Sequence, residues 1–263
     1  MSSGPPNTAN GAPCVWEPFI HTYENQLVVH YSDQSDPLYG QKLAHRTSRD
    51  GYAWSSTVND VIFSNYTLRP GMITMDQMGN GKWITTYEVG FSPAPPANYY
   101  AVHYTIADSP LNFLAGQTDI LLKATDGTIP SASPFVQWTP TGGPMGTVVV
   151  SDGSYSSPFL NTKYGDPSSW VEVPSGHGVG YSRSLMVMPD QSELLVFNGG
   201  MYGGGNTTVS AGIYTVPGPK SNWPPSASCQ KSGPGGGQWG KGGWGLRGPP
   251  AWGGKGWFGG WGW

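Results

Sequence analysis

Residues 72–88 spell MITMDQMGNGKWITTYE, two short runs rich in apolar, β-branched and aromatic residues on either side of a polar centre. The centre, MGNGK at 78–82, contains an Asn-Gly pair, which is typical of a tight hairpin turn. Runs of this composition favour strands, because branched and aromatic side chains fit a pleated surface. The stretch therefore predicts two antiparallel strands, at 72–75 and 82–88, joined by a short turn.

The alternation of strand and turn continues on both sides of this hairpin. Further strands are predicted at 26–31, 99–106, 146–151, 185–188, 193–198 and 211–216. Together they form about four units of roughly 50 residues, each with three or four strands. Repeated all-β units of this size predict a β-propeller, in which small sheets radiate around a central channel. The pattern alone leaves a β-sandwich open as the alternative.

Composition divides the 263 residues into a polar leader at 1–12, the predicted propeller at 13–216, and a tail rich in Gly, Pro and Trp at 217–263. We expect the tail to be disordered, because it has no periodic apolar pattern. The propeller carries 16 acids and eight Lys and Arg, a net charge of −8, and the tail carries five bases and no acid. This distribution indicates no basic face for nucleic acid.

The sequence predicts no membrane span, no secretory signal and no disulfide bond. No apolar run of about 20 residues predicts a membrane span. The polar start at Met1 lacks the pattern of a secretory signal. The two cysteines, Cys14 and Cys229, are expected to be free thiols.

Two glutamates stand beside aromatic residues at the ends of predicted strands. Glu17 follows Val15-Trp16, and Glu88 ends the run WITTYE. A carboxylate is costly to bury there unless it has partners or its shifted pKa is used. Inner strands of a propeller end at the channel mouth, so glutamates from neighbouring blades can meet there and form the acid and carboxylate pair that glycoside hydrolysis requires. The alternative is two structural glutamates paired with arginine.

Other polar residues flank predicted inner strands. Tyr181 and Arg183 stand before one strand and Arg69 before another, and either arginine can orient a carboxylate or form a structural ion pair. The five histidines, which show no metal-ligand spacing, are interpreted as surface or packing residues; they are His21, His30, His45, His103 and His177. No cofactor and no metal site is predicted.

The segment TSRDGYAW at 47–54 resembles the Asp-box turn of sialidase-like propellers, with one residue missing between Asp50 and Trp54. A longer set of motifs resembles glycoside hydrolase family 93, the exo-1,5-α-L-arabinanases of the sialidase-like superfamily. The motifs are WEPF (16–19), YSD (31–33), GQKL (40–43), RPGM (69–72), GNGK (79–82), TYE (86–88), TDGT (125–128), SP (133–134), GDP (165–167) and YSRSL (181–185). The resemblance covers residues 13–216.

The resemblance implies a six-bladed propeller of which about four blades are present, since the family has a further stretch before the position of Glu17. It implies a secreted, monomeric, retaining enzyme that releases arabinobiose from the non-reducing end of linear arabinan. Glu17 is then expected to be the nucleophile, Glu88 the acid/base, and Tyr181 a hydrogen-bonding support for the pair. Arg69 and Arg183 are expected to bind substrate or orient carboxylates, and Trp16 and Tyr87 either stack on sugar or pack.

Three alternatives stay open at this point. The chain can be a non-catalytic sugar-binding propeller, an inactive shortened family member, or a sialidase-like enzyme with another substrate. The two glutamates and Tyr181 favour catalysis over simple binding. Sialic acid is disfavoured, because no full arginine cluster is available for its carboxylate.

Overall fold

The computed structural model describes residues 10–91, 100–115, 118–200 and 208–219. All of them belong to the first of two units in the chain, Met1–Pro225. The second unit, Ser226–Trp263, and most of the predicted leader and tail lie outside the described residues. In the described residues all regular structure is β-strand, arranged in four antiparallel sheets that we call blades 1 to 4.

Each blade is a meander in which strands that follow one another in sequence also pair in space. Blade 1 contains β1 (Val15–Tyr23), β2 (Gln26–Asp33), β3 (Lys42–Ser48) and β4 (Val58–Val61). Blade 2 contains β5 (Arg69–Gln77), β6 (Trp83–Gly90), β7 (Tyr100–Ala107) and β8 (Ile120–Leu121). Blade 3 contains β9 (Phe135–Thr139), β10 (Thr147–Ser151), β11 (Phe159–Asn161) and β12 (Trp170–Glu172). Blade 4 contains β13 (Ser184–Val187), β14 (Glu193–Asn198) and β15 (Ser210–Thr215).

The blades pack face to face in chain order. Leu43 of blade 1 meets Ile73 of blade 2 in one apolar cluster, and Tyr104 of blade 2 meets Trp170 of blade 3 in the next. Leu160 of blade 3 packs in a third cluster with residues of blade 4. The first strands of the blades, β1, β5, β9 and β13, contact one another in sequence and so line the inner edge. This arrangement confirms the predicted all-β propeller.

Local sequence explains the turns that join the strands. The predicted hairpin closes between β5 and β6, where Gly81 has a φ of +83° and its N–H donates to Met78 O at 2.9 Å. The Asp-box turn joins β3 to β4: Ser48 Oγ accepts from Gly51 N, and Asp50 accepts from the N–H groups of Tyr52 and Ala53. This motif is therefore a structural fastener of blade 1. Among the described residues no helix has the length and apolarity needed to cross a membrane.

Candidate active site

Glu17 lies in β1 at a β-bulge between Trp16 and Phe19, with a left-handed φ of +53°. The bulge turns its side chain out of the strand, and the residue is exposed. Its Oε2 accepts hydrogen bonds from Ser32 Oγ at 3.0 Å and from the backbone N–H of Met72 at 2.8 Å. These two donors fix the position of the Glu17 carboxyl group at the inner edge.

Glu88 lies in β6 and is 6% exposed. Its Oε2 accepts a hydrogen bond of 2.7 Å from the backbone N–H of Ser133 in blade 3. Burial raises the pKa of Glu88 to about 7; the N–H of Ser133 acts in the opposite direction, and the negative charge of Glu17 adds to the rise. Glu88 therefore keeps its proton at pH values where an ordinary glutamate has lost it.

The two glutamates share one site. Gly71 of β5 pairs with Glu88 across the blade 2 hairpin, and a Cβ added at Gly71 would lie 3.2 Å from Glu17 Oε2. The charge of Glu17 also acts on the pKa of Glu88. The structure thus brings together the two carboxylates that sequence selected, from the inner strand of blade 1 and the second strand of blade 2.

Each blade begins its inner edge with a non-glycine residue in the left-handed region. These residues have φ of +53°, +53°, +39° and +53° in Glu17, Met72, Ser133 and Ser182. The N–H of Met72 donates to Glu17, that of Ser133 to Glu88, and that of Ser182 to Ser133 Oγ at 3.0 Å. Such conformations cost about 1–3 kcal/mol each and cluster at functional sites. Blades 2, 3 and 4 therefore each hold a side-chain oxygen of the blade before them.

Tyr181 lies just before β13, and its hydroxyl donates to Met72 Sδ at 3.1 Å. Met72 in turn holds Glu17 through its backbone N–H. Tyr181 is thus placed at the residue that fixes the predicted nucleophile. Its predicted role of hydrogen bonding to the glutamate pair stays a prediction.

Arg69 and Trp16 both donate hydrogen bonds to the side-chain amides of buried glutamines. Arg69 Nη2 donates to Gln34 Oε1 at 2.9 Å and to Gln41 Oε1 at 2.8 Å, and the Trp16 indole N–H also donates to Gln34. Burial lowers the pKa of Arg69, while the charge of Glu17 opposes this change. Arg69 therefore ties blades 1 and 2 together and places a positive charge near Glu17. Half-buried Trp16 also lines an open groove on blade 1 with Ile20 and Trp54, and its stacking on sugar stays a prediction.

Tyr87 and Arg183 are both buried in the structure. Tyr87 is 1% exposed in the cluster between blades 1 and 2, and its hydroxyl donates to Asp119 at 2.6 Å. Arg183 is 2% exposed and donates to the carbonyls of Tyr155 and Gly178, both at 2.9 Å. These contacts favour packing for Tyr87 and a structural role for Arg183, and the substrate contacts expected of both residues stay predictions.

One buried polar cluster was not predicted from sequence. In blade 1, Asp60 accepts from His30 Nδ1 at 2.9 Å and from His45 Nδ1 at 2.7 Å, and His30 Nε2 lies 3.2 Å from His21 Nε2. One ligand atom from each of His30, His45 and Asp60 lies within 4.8 Å of the others, so the three could hold a metal ion. Their separations are those of hydrogen bonds, which favours a hydrogen-bonded cluster.

Comparison with solved structures is decisive for the family. The chain is similar to the GH93 α-L-arabinofuranosidase of Fusarium graminearum, solved with arabinobiose, at 38% identity and a TM-score of 0.76, over 80% of this chain and 60% of that one. It is similar to the α-L-arabinanase of Penicillium chrysogenum, also solved with arabinobiose, at 34% identity and a TM-score of 0.75, with the same coverage. The chain belongs to glycoside hydrolase family 93.

This family 93 chain spans 60% of the length of those two solved structures. A family 117 glycoside hydrolase from Zobellia galactanivorans shares only the fold, with 11% identity and a TM-score of 0.51 over 81% of this chain and 71% of that one. No family model matches the sequence, and no curated protein matches it. The assignment to family 93 therefore rests on structure and on identity to solved members.

Proposed function

We propose that this family 93 chain is a retaining glycoside hydrolase that releases arabinobiose from the non-reducing end of linear 1,5-α-L-arabinan. The single observation that carries the proposal is the unequal glutamate pair: exposed Glu17 accepts two hydrogen bonds, and buried Glu88 has its pKa raised to about 7. Two carboxyl groups with such different surroundings suit the two roles of a retaining mechanism. The arabinobiose in the two solved relatives supports the substrate class.

In the first step, Glu17 attacks the anomeric carbon while Glu88 gives its proton to the departing glycosidic oxygen. This forms an ester between the sugar and Glu17 and leaves Glu88 as a carboxylate. In the second step, Glu88 takes a proton from water, and the oxygen of that water displaces Glu17 from the anomeric carbon. The enzyme returns to its starting state, and the sugar keeps its anomeric configuration.

Hydrolysis of linear arabinan by the purified full chain tests the proposal, with Glu88→Gln as the variant. We expect the parent to release arabinobiose and the variant to lose about 100- to 10,000-fold in kcat, the usual contribution of a general acid. The kcat/KM of the parent should fall as pH rises through about 7, because Glu88 must be protonated to act.

Folding of both proteins is checked by circular dichroism. Arabinan binding without hydrolysis by folded parent would identify a sugar-binding propeller instead, and absence of both would identify an inactive family member. The extracellular location and the monomeric state stay predictions; secretion by a native host and light scattering of the purified chain test them.

A further inference from the structure

The hydrogen bond to Glu88 comes from a strained loop. Ser133 N–H donates to Glu88, and Ser133 and its neighbour Ala132 both lie in the left-handed region, with φ of +39° and +65°. Two consecutive non-glycine residues in this region persist only where the surroundings hold them. The position of the donor therefore depends on whatever fixes the loop at 131–133.

Asp152, which follows β10 in blade 3, fixes that loop. It is fully buried, and its Oδ2 accepts from Ser131 N at 2.8 Å and from Ser154 N at 3.2 Å, while Oδ1 accepts from Tyr155 N at 3.2 Å. The next residue, Gly153, donates its N–H to Ala132 O at 2.8 Å. The Asp152 carboxylate thus clamps two backbone segments together, one of which carries the donor to Glu88.

The same clamp reaches blade 4. Tyr155, held by Asp152, accepts through its carbonyl from Arg183, whose charge attracts Asp152. Arg183 adjoins Ser182, and Ser182 N–H donates to Ser133 Oγ. The inner edges of blades 3 and 4 are therefore linked through Asp152, Arg183 and Ser133.

We propose that Asp152 is a positioning residue for Glu88, which it serves by holding the loop at 131–133 so that Ser133 N–H donates to the Glu88 carboxylate. The proposal rests on the proposed function of Glu88 as the acid/base. Asp152 acts through backbone bonds, and its role differs from that of the glutamates, which meet the sugar.

Asp152→Asn is the informative change, because it keeps the size of the side chain. Both oxygens of Asp152 accept N–H groups, so the NH₂ of asparagine must face an N–H that needs an acceptor. Asparagine weakens the clamp at whichever N–H its NH₂ faces, and Asp152→Ala, measured beside it, removes the acceptor of Ser131 N–H in either case. Release of the loop costs Glu88 its donor, which raises the pKa of Glu88 by about one unit. If Asp152 acted only as a distant negative charge, its neutralisation would lower the pKa of Glu88. The sign of the change separates the two explanations.

The measurement is the pKa of Glu88 by ¹³C NMR of the full chain labelled only at the glutamate carboxyl carbons. The chain has five glutamates, and the Glu88 signal is assigned by its loss in Glu88→Gln. Labelling glutamate alone is necessary because burial also raises the pKa of Asp152 to about 7, so that an activity profile mixes two titrations. Since the charge of Glu17 acts on Glu88, both signals are followed together.

Kinetics on arabinan complete the test. We expect Asp152→Asn to lower kcat about 10- to 100-fold with little change in KM, as for a misplaced catalytic group. The matched control is Asp166→Asn, the same change at an exposed aspartate of blade 3 whose Oδ1 accepts from the backbone N–H and the hydroxyl of Ser168. It should leave both the Glu88 pKa and kcat as in the parent.

If Asp152→Asn does not fold, Ser154→Ala serves instead, because exposed Ser154 donates its hydroxyl to Ser131 O at 3.0 Å and holds the same loop. A smaller rise in the Glu88 pKa is expected. An unchanged or lowered Glu88 pKa in the folded variants overturns the proposal. Failure of the parent to hydrolyse arabinan counts against the proposed function alone, since the NMR titration needs no substrate.

Discussion

Glu88 and Asp60 are two buried carboxylates in neighbouring blades, and their pKa values move in opposite directions. Among the described residues Glu88 has a single backbone donor, and burial raises its pKa to about 7. Asp60 is at least as buried, but hydrogen bonds from His30 and His45 outweigh burial and lower its pKa. Burial by itself therefore does not identify a catalytic acid. The number and kind of donors decide whether a buried carboxyl group keeps its proton.

The two regions should also respond to pH in opposite ways. In the folded protein the pKa of Glu88 is raised from its usual 4.5 to about 7. The free energy of unfolding therefore falls as the pH rises between these two values. In the Asp60 cluster, burial lowers the pKa of His21 to about 4, so its contribution to stability is lost as pH falls from 6.5 to about 4. Asp60 itself, with a lowered pKa, loses its contribution at still lower pH. One region is sensitive to base and the other to acid.

The largest effect is expected from breaking the Asp60 cluster. Asp60→Asn leaves one histidine N–H facing an NH₂ group in the core, and we expect a loss of about 3 kcal/mol in the free energy of unfolding at pH 7. Urea denaturation measures it. The control is Asp108→Asn, since Asp108 pairs with Lys82 in an exposed salt bridge and its loss should cost little. Equal stability of the two variants would show that the cluster does not hold blade 1 together.

A smaller effect of opposite sign is expected at Glu88. Glu88→Gln removes the ionisation that burial opposes, so the variant should exceed the parent in unfolding free energy above pH 7, by at most about 3 kcal/mol. The difference should disappear below pH 4.5, where both side chains are neutral. Denaturation of both proteins at pH 4 and pH 8 measures it. A constant difference at the two pH values would mean that Glu88 is not protonated by burial.

The smallest effect is expected at Tyr87, which adjoins Glu88 in β6. Tyr87→Phe removes only the hydroxyl that donates to Asp119, and we expect a loss of about 1 kcal/mol in the free energy of unfolding with unchanged KM for arabinan. Trp16→Phe provides the comparison, because half-buried Trp16 is the other candidate for sugar stacking. A raised KM in Tyr87→Phe would mean that its ring does reach the substrate.

Sequence predicted most of the fold because the strands are strongly patterned. The strand predicted at 193–198 coincides with β14, and those at 26–31 and 82–88 differ from β2 and β6 by two residues or fewer at each end. The outer strands β4, β8 and β12 were not predicted, because they are short and their residues carry little alternation.

Sequence predicted the two glutamates of the candidate site but not the groups that hold them. Glu17 and Glu88 were found because a carboxylate beside aromatics at a strand end is unusual. Their donors were missed, because the N–H groups of Met72 and Ser133 carry no sequence signal. Strand alternation sets one predicted residue apart from the pair, since Tyr87 adjoins Glu88 and so points to the other face of the sheet.

The backbone donors on the inner edge also bear on how a propeller can be rearranged. Glu17 is held by Met72 of the next blade, and Glu88 by Ser133 of the blade after that. A blade transplanted alone into another protein would bring its glutamate and leave the donor behind. The unit that can be exchanged or grafted with its chemistry intact is therefore a glutamate-bearing strand together with the left-handed residue, Met72 or Ser133, at the inner edge of the next blade. The boundaries of this unit do not coincide with those of a single sheet.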